Sequence, residues 1–280
     1  MADVVRPGTP STSYQNVHML FRWLKNRRRA KILAKTYPVA WDRIIAENVV
    51  HVQQLNDVQQ TRLRRLVQVF VAEKNWEGCG GLVLTDEIRV TIAAQACLLV
   101  VGLPQDTYFD HVLSILVYPN AYVAEGTQIT RAGVVMDKGQ ARLGEAWWRG
   151  PVILSWPETL SGGRMETPGS NLVLHEFAHQ LDMMNGRFCD GMPVLETSAD
   201  IDRWISVLGP EYDSLVEACG RGHHGFLDCY GATNPAEFFA VLTETFFERP
   251  HSLKNHHPEV YDVVRSFYRL DPAEWAGNAR

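Results

Sequence analysis

Two histidines four residues apart, His175 and His179, lie in a stretch without Gly or Pro that runs from Asn171 to Asn185. Residues i and i+4 share one face of an α-helix, so both imidazoles can reach a single metal ion. Glu176 follows the first histidine and is placed to take a proton from a water molecule that such a metal activates. The H-E-x-x-H pattern therefore predicts a helix that carries two metal ligands and a general base.

A third metal ligand must come from another part of the chain. The glycine and third histidine of the metzincin pattern are absent, because Asp182 and Asn185 occupy those two positions. Glu237 and Glu244 stand out among the acidic residues downstream, because their spacing allows both to face one side of a predicted helix. The acidic candidates are Asp190, Glu196, Asp200, Asp228, Glu237, Glu244 and Glu248.

Each of these two glutamates also has a second interpretation. Asn234, Pro235 and Glu237 have the spacing of a capping box, in which the glutamate carboxylate accepts a hydrogen bond from the N-cap backbone instead of binding metal. Glu244 lies amid apolar residues and is placed to orient a ligating histidine. Spacing alone does not rank a ligand role above these alternatives.

Three segments in the same order resemble the Mlc titration factor A family, which comprises cytoplasmic bacterial zinc metallopeptidases related in their catalytic core to anthrax lethal factor. The segments are GEAWWRGPVILSW at 144–156, LHEFAHQLD at 174–182 and NPAEFFAVLTE at 234–244. The likeness extends from about residue 38 to about residue 272. It implies a helix-rich α+β fold of the gluzincin type, with a small sheet beside the H-E-x-x-H helix.

The resemblance also implies the composition of the site. One zinc ion per chain is bound by His175, His179 and Glu237, and Glu176 is the catalytic base. Tyr230, seven residues before Glu237, is implied as the second catalytic residue, whose hydroxyl stabilises the oxyanion. From its residue type alone, a tyrosine at the edge of a core is an equally ordinary interpretation.

The implied function is a zinc-dependent peptidase, aminopeptidase-like on short peptides, that also binds a DNA-binding repressor of the Mlc type. A second hypothesis is a non-catalytic protein that sequesters this repressor and has a secondary zinc site. A mononuclear Fe(II) site is a weaker third reading, since two histidines and a carboxylate also form the oxygenase triad.

We expect the chain to be divided into three parts. These are a disordered tail at 1–18, a basic amphipathic segment at 19–37 and a metallopeptidase domain at 38–280. Within the domain, residues 38–105 form an N-terminal helical part and residues 106–280 the catalytic part. The basic residues of 19–35 alternate with aromatic and aliphatic ones, which allows either weak contact with a membrane surface or packing on the domain.

Apolar spacing and helix caps predict the secondary structure of the domain. Helices are expected at Val39–Val52, Asp57–Glu73, Asp86–Val101, Asn171–Met184, Ser198–Val207, Pro235–Phe247 and His256–Tyr268. Strands are expected at Val112–Tyr118, Gly133–Met136 and Val152–Ser155.

Composition narrows the class of protein. The net charge of −5 with an isoelectric point near 6.1 argues against direct nucleic-acid binding. No apolar stretch is long enough for a transmembrane span, and the N-terminus lacks a signal-peptide pattern, so a cytoplasmic location is expected. The cysteines are odd in number and form no C-x-x-C pair, which favours reduced thiols. They are Cys79, Cys97, Cys189, Cys219 and Cys229.

Overall fold

The structure is a computed structural model that describes residues 12–104, 107–120, 127–129, 135–137, 150–186 and 188–275; for 12–22, 127–129 and 135–137 the description covers the backbone alone. The chain divides into two compact units, Met1–Tyr37 and Pro38–Arg280.

The first unit contains helix α1, Thr12–Leu33. Residues 12–18 are therefore helical, although the sequence predicted disorder up to residue 18; residues 1–11 lie outside the described part. Trp23 and Leu24 are exposed on this helix, and the guanidinium of Arg27 lies 5.2 Å from the centre of the Trp23 ring. Nowhere in the described residues is there a helix long and apolar enough to cross a membrane.

The second unit begins with helices that precede and flank the first strand. They are α2 (Ala40–Asn48), α3 (Asp57–Glu73) and α4 (Asp86–Leu98), and a short 3-10 segment, Val50–Gln54, follows α2. A capping box between Asn56 and Gln59 starts α3 where the sequence predicted it. Helix α4 is buried from Val90 to Leu98, where its residues are apolar except for Thr91 and Gln95.

The second unit also contains a three-stranded parallel sheet. Its order is β1 (Asn75–Gly78), β2 (Ser114–Tyr118) and β5 (Val152–Ser155), with Trp76 opposite Ile115 and Ile115 opposite Val152. The small sheet is confirmed. Strand β1 was not predicted, because a four-residue edge strand with exposed and half-buried residues has no apolar alternation.

A separate antiparallel pair, β3 (Thr127–Ile129) and β4 (Val135–Asp137), lies between β2 and β5 in the chain. The strand predicted at Gly133–Met136 corresponds only in part to β4, and residues 133–134 lie outside the described part. The first six residues of the first resembling segment, 144–149, also lie outside it.

Helices dominate the rest of the chain. They are α5 (Trp156–Gly163), α6 (Leu172–Asp182), α7 (Ser198–Gly220), α8 (Pro235–Glu248), α9 (Pro250–His256) and α10 (Pro258–Tyr268). The prediction that α7 stops at Val207 was wrong. Pro210 lies inside this helix, and Leu208 and Leu215, seven residues apart on one face, are both buried, so packing on either side of the proline maintains one continuous helix.

The expectation of reduced thiols was wrong for one pair of cysteines. Cys219 at the end of α7 and Cys229 form a disulfide, with Cα atoms 5.7 Å apart. Neither the odd number of cysteines nor the absence of C-x-x-C reveals such a pair, because the chain reverses direction between the two residues. Cys79, Cys97 and Cys189 are free.

Candidate metal centre

The candidate site lies where α6 packs against α8. Asn171 caps α6 by accepting a hydrogen bond from the backbone N–H of Leu174, 3.0 Å away, and Asn234 caps α8 in the same way at Glu237. These caps define the first turn of each helix. Because His175 and Glu237 lie within or next to those turns, the caps also set the direction in which the two side chains leave their helices.

His175, His179 and Glu237 converge on one point. One ligand atom from each residue lies within 4.8 Å of the others. Glu237 Oε2 is 3.1 Å from Nε2 of His175 and 3.4 Å from Nε2 of His179. Two ligands bonded to a tetrahedral zinc ion at about 2.0–2.1 Å lie about 3.3 Å apart. Both separations of Glu237 from the histidines therefore match those of ligands on one zinc ion.

The surroundings of His175 explain why a cation suits this point. Its Nδ1 lies 2.7 Å from Oε1 of Glu244, and its Nε2 faces Glu237. If neutral His175 donates its Nδ1–H to Glu244, the lone pair of Nε2 points at a carboxylate oxygen. Two acceptors facing each other in a buried place need either an extra proton or a metal ion between them.

The pKa values of the two groups reflect this arrangement. Burial opposes a charged His175, but hydrogen bonds to Glu237 and Glu244 outweigh it and raise the pKa of His175 to about 10. Burial likewise favours a protonated Glu237, yet the hydrogen bonds from His175 and His179 hold its pKa well below the ordinary range. The site therefore keeps Glu237 ionised, as a metal ligand must be.

Glu176 is half-buried beside these residues. Burial raises the pKa of its carboxyl group, while the neighbouring His175 and His179 act in the opposite direction. A carboxylate with a raised pKa is a better proton acceptor, which suits a general base.

Tyr230 reaches the edge of the site from a different element. It lies in the short 3-10 segment Cys229–Ala232, where Asp228 accepts a hydrogen bond from its backbone N–H at 3.0 Å. The centre of its ring is 5.9 Å from that of His175. Both rings line a cavity of about 580 Å³, which His224 also borders. The cavity thus opens beside His175, the candidate ligand that lines it.

Comparison with known proteins identifies the family. The model of the glucose-regulated metallo-peptidase M90 family matches residues 22–269. A Synechocystis protein of uncharacterised function is 38% identical over 251 residues, covering 89% of this chain and 90% of its own. Mlc titration factor A of Yersinia pestis is 31% identical over 252 residues, covering 89% of each chain.

The chain belongs to the glucose-regulated metallo-peptidase M90 family. The resemblance to Mlc titration factor A inferred from the sequence is thereby confirmed. Membership in a metallopeptidase family also agrees with a group of side chains that can hold a metal ion.

In this member of the family, Asp182 has a role that the sequence left open. Its carboxylate accepts hydrogen bonds from the backbone N–H groups of Gly191, at 2.8 Å, and Met192, at 3.1 Å. A Cβ on Gly191, where φ is +83°, would lie 2.4 Å from the carbonyl oxygen of Pro235. Asp182 therefore holds a loop against the first residue of α8, the helix that carries Glu237. Burial raises the pKa of Asp182 to about 6.

The sequence missed a buried polar network behind His175. The backbone N–H of Asn171 donates to Oε2 of Glu244 at 2.6 Å, and its side-chain amide donates to Glu248 at 3.2 Å. His51 lies 3.6 Å from the same Glu248 carboxylate. Burial raises the pKa of Glu248 to about 8 and lowers that of His51 to about 4, so both are neutral at pH 7. An Asn before a helix predicts a cap, but not these long-range contacts.

Proposed function

We propose that this protein is a zinc-dependent peptidase of the gluzincin type, with His175, His179 and Glu237 as the ligands of one zinc ion. The convergence of these three side chains next to Glu176 carries the proposal. The separations of 3.1 and 3.4 Å support zinc, whose tetrahedral N and O ligands have this spacing.

Zinc bound here supplies Lewis acidity, which lowers the pKa of a coordinated water from 15.7 towards about 7. Glu176 accepts the proton of the attacking water and later returns it to the leaving amine. Its half-buried position and raised pKa support this role.

Tyr230 and Glu244 complete the set of proposed functional residues. The hydroxyl of Tyr230 donates a hydrogen bond to the substrate carbonyl oxygen as negative charge develops there, an interaction that typically contributes about 2.7–4 kcal/mol. The position of its ring beside His175 supports this assignment. Glu244 is a positioning residue, because it holds His175 from behind.

The substrate class that we propose is short peptides, cleaved in the manner of an aminopeptidase. The cavity of about 580 Å³ beside His175 and Tyr230 supports a small substrate, since sites for drug-sized ligands span roughly 300–1,000 Å³.

Glu176→Gln tests the catalytic proposal. We expect at least a 100-fold loss of hydrolysis of chromogenic amino-acid amides, because the variant cannot accept the proton, with zinc content still near one ion per chain. Unchanged hydrolysis would show that the assignment of Glu176 is wrong. A different metal, bound stoichiometrically in protein purified without added metal, would instead favour the Fe(II) reading.

A second function is supported by the name of a relative. Mlc titration factor A is 31% identical over 89% of this chain, and we propose that this protein likewise binds a transcriptional repressor of the Mlc type. Binding of the purified repressor by Glu176→Gln, measured by calorimetry, would show that the two functions are separable. If Glu176→Gln loses hydrolysis and the wild type does not bind the repressor, the results support the peptidase function only.

A further inference from the structure

Arg249 presents a positive charge to the cavity beside the candidate metal centre. It directly follows α8, and it lines the same cavity as His175 and Tyr230. The centre of its guanidinium lies 4.5 Å from the centre of the Phe226 ring. Within the residues that the structure describes, no carboxylate lies within ion-pair distance of it. An arginine in this position has donors available for a ligand.

The side chain of Arg249 is held from two sides. Phe226 covers one face of the guanidinium. On the other side, Gly169 adopts a φ of +93°, and a Cβ there would lie 2.9 Å from Cδ of Arg249. A glycine at this position leaves room for the arginine stem. The arginine is therefore pre-oriented, which reduces the entropy lost when it binds a partner.

The acidic side chains that border the cavity are already engaged. Glu244 accepts hydrogen bonds at both oxygens, one from His175 and one from Asn171. Asp228 accepts one from the backbone of Tyr230. These hydrogen bonds occupy carboxylate oxygens without removing their charge. Arg249 supplies a permanent positive charge to the lining, and planar guanidinium groups favour carboxylates.

Arg249 and His175 line one cavity, so a peptide whose scissile bond lies beside His175 can extend along that cavity to the guanidinium.

We propose that Arg249 binds a carboxylate of the peptide substrate away from the scissile bond, and makes the enzyme selective for peptides with an anionic group. This inference rests on the proposed peptidase function. The carboxylate belongs either to an acidic side chain or to the free C-terminus of a short peptide, since the guanidinium recognises the same chemistry in both.

A panel of alanine-based tripeptides and tetrapeptides tests the proposal. Each has Glu or its neutral isostere Gln at one position after the first residue, and each is made with a free or an amidated C-terminus. We expect kcat/KM to be at least tenfold higher for the anionic member of one pair, as a charge-assisted hydrogen bond predicts. A difference between the Glu and Gln peptides identifies a side-chain carboxylate, and a difference between the free and amidated peptides identifies the C-terminal carboxylate.

Variants then test whether the preference for anionic peptides depends on Arg249. Arg249→Gln should reduce the ratio of kcat/KM for the anionic peptide to that for the neutral peptide to near one. Arg249→Glu should invert this ratio, and Arg249→Lys should retain part of the preference. Arg265→Gln is the matched control, because Arg265 is exposed on α10 and pairs with Asp262, outside the cavity lining; it should keep the wild-type ratio. Gly169→Ala, which displaces the stem of Arg249, should lower the ratio without removing the charge.

The outcomes distinguish this inference from the proposed function. If neutral peptides are hydrolysed in a Glu176-dependent way but the wild type shows no preference for anionic peptides, Arg249 has no such role while the peptidase proposal stands. A preference that persists in Arg249→Gln also overturns the inference. If no peptide is hydrolysed, the proposed function fails and the inference fails with it.

Discussion

Glu244 and Glu237 contact opposite nitrogens of the same imidazole: Oε1 of Glu244 lies 2.7 Å from Nδ1 of His175, and Oε2 of Glu237 lies 3.1 Å from its Nε2. The orientation of the His175 ring is therefore determined by Glu244 at Nδ1 as well as by Glu237 at Nε2. Such partners of ligating histidines commonly contribute 10–100-fold to metal affinity.

Glu244→Ala should weaken zinc binding about 10–100-fold, because His175 loses the acceptor that fixes its orientation. Glu244→Gln keeps an oxygen acceptor and should lose less. Titration against a chelator measures both. Glu259→Ala, at an exposed position on α10, is the control, and an unchanged affinity in Glu244→Ala would contradict the positioning role.

The roles of Glu237 and Asn234 can be separated by mutation, because Glu237 is a candidate ligand and Asn234 caps α8. Glu237→Gln should abolish stoichiometric zinc binding, while the N-cap is kept because the backbone N–H of residue 237 still donates to Asn234. Asn234→Ala should lower the free energy of unfolding by about 1 kcal/mol while zinc is retained. Urea unfolding and metal analysis together check both, and zinc retained by Glu237→Gln would show that Glu237 is not a ligand.

Glu248 should make stability depend on pH. Burial raises its pKa in the folded protein from 4.5 to about 8, so between these values the folded state holds a proton that the unfolded state has released. Its contribution to stability is therefore lost as the pH rises from about 5 to 8. At about 1.4 kcal/mol per pKa unit, the effect is several kcal/mol.

Glu248→Gln should remove this pH dependence, so that the variant gains stability relative to the wild type between pH 5 and pH 8. Thermal or urea unfolding at several pH values measures the difference. An equal difference at all pH values would show that Glu248 is ionised throughout. Exposed Glu259 serves again as the control, since Glu259→Gln should give a constant difference.

Reduction of the Cys219–Cys229 disulfide should lower peptidase activity, because Cys229 directly precedes Tyr230 and the closed segment borders the cavity. Opening a loop of this length should also cost about 2–3 kcal/mol of stability. Activity is measured with and without a thiol reductant, in the wild type and in the Cys219→Ser/Cys229→Ser double variant. Cys79→Ser, at a free cysteine, should retain the wild-type response; a double variant that remained fully active would contradict the role of the tether.

Phe177 anchors the face of α6 that points away from the candidate ligands. It is fully buried, and its ring centre lies 4.9 Å from that of Phe109 and 5.6 Å from that of Phe70. Phe177→Ala should lower the free energy of unfolding by about 3–5 kcal/mol. Phe188→Ala, at a position that is 64% exposed, should change it little. Chemical denaturation distinguishes the two, and similar small effects would show that this cluster does not anchor α6.

Local patterns in the chain predicted most of the helices correctly. The caps at Asn56, Asn171 and Asn234 lie where the sequence places helix starts, because a cap involves residues three positions apart. The predicted helix at Ser198–Val207 was too short, since the burial that maintains α7 past Pro210 comes from other elements. Strand β1 and the pairing of Cys219 with Cys229 were missed for the same reason.

The sequence by itself determined that His175 and His179 share one face of a helix with Glu176 beside them, because helix periodicity is local and depends on neighbouring residues alone. Which of the downstream carboxylates meets these histidines was decided only by the tertiary structure. Glu237 and Glu244 are 62 and 69 residues away from His175, and their separate roles follow from how α8 packs on α6. That packing depends on buried contacts from the whole second unit, which no local spacing encodes.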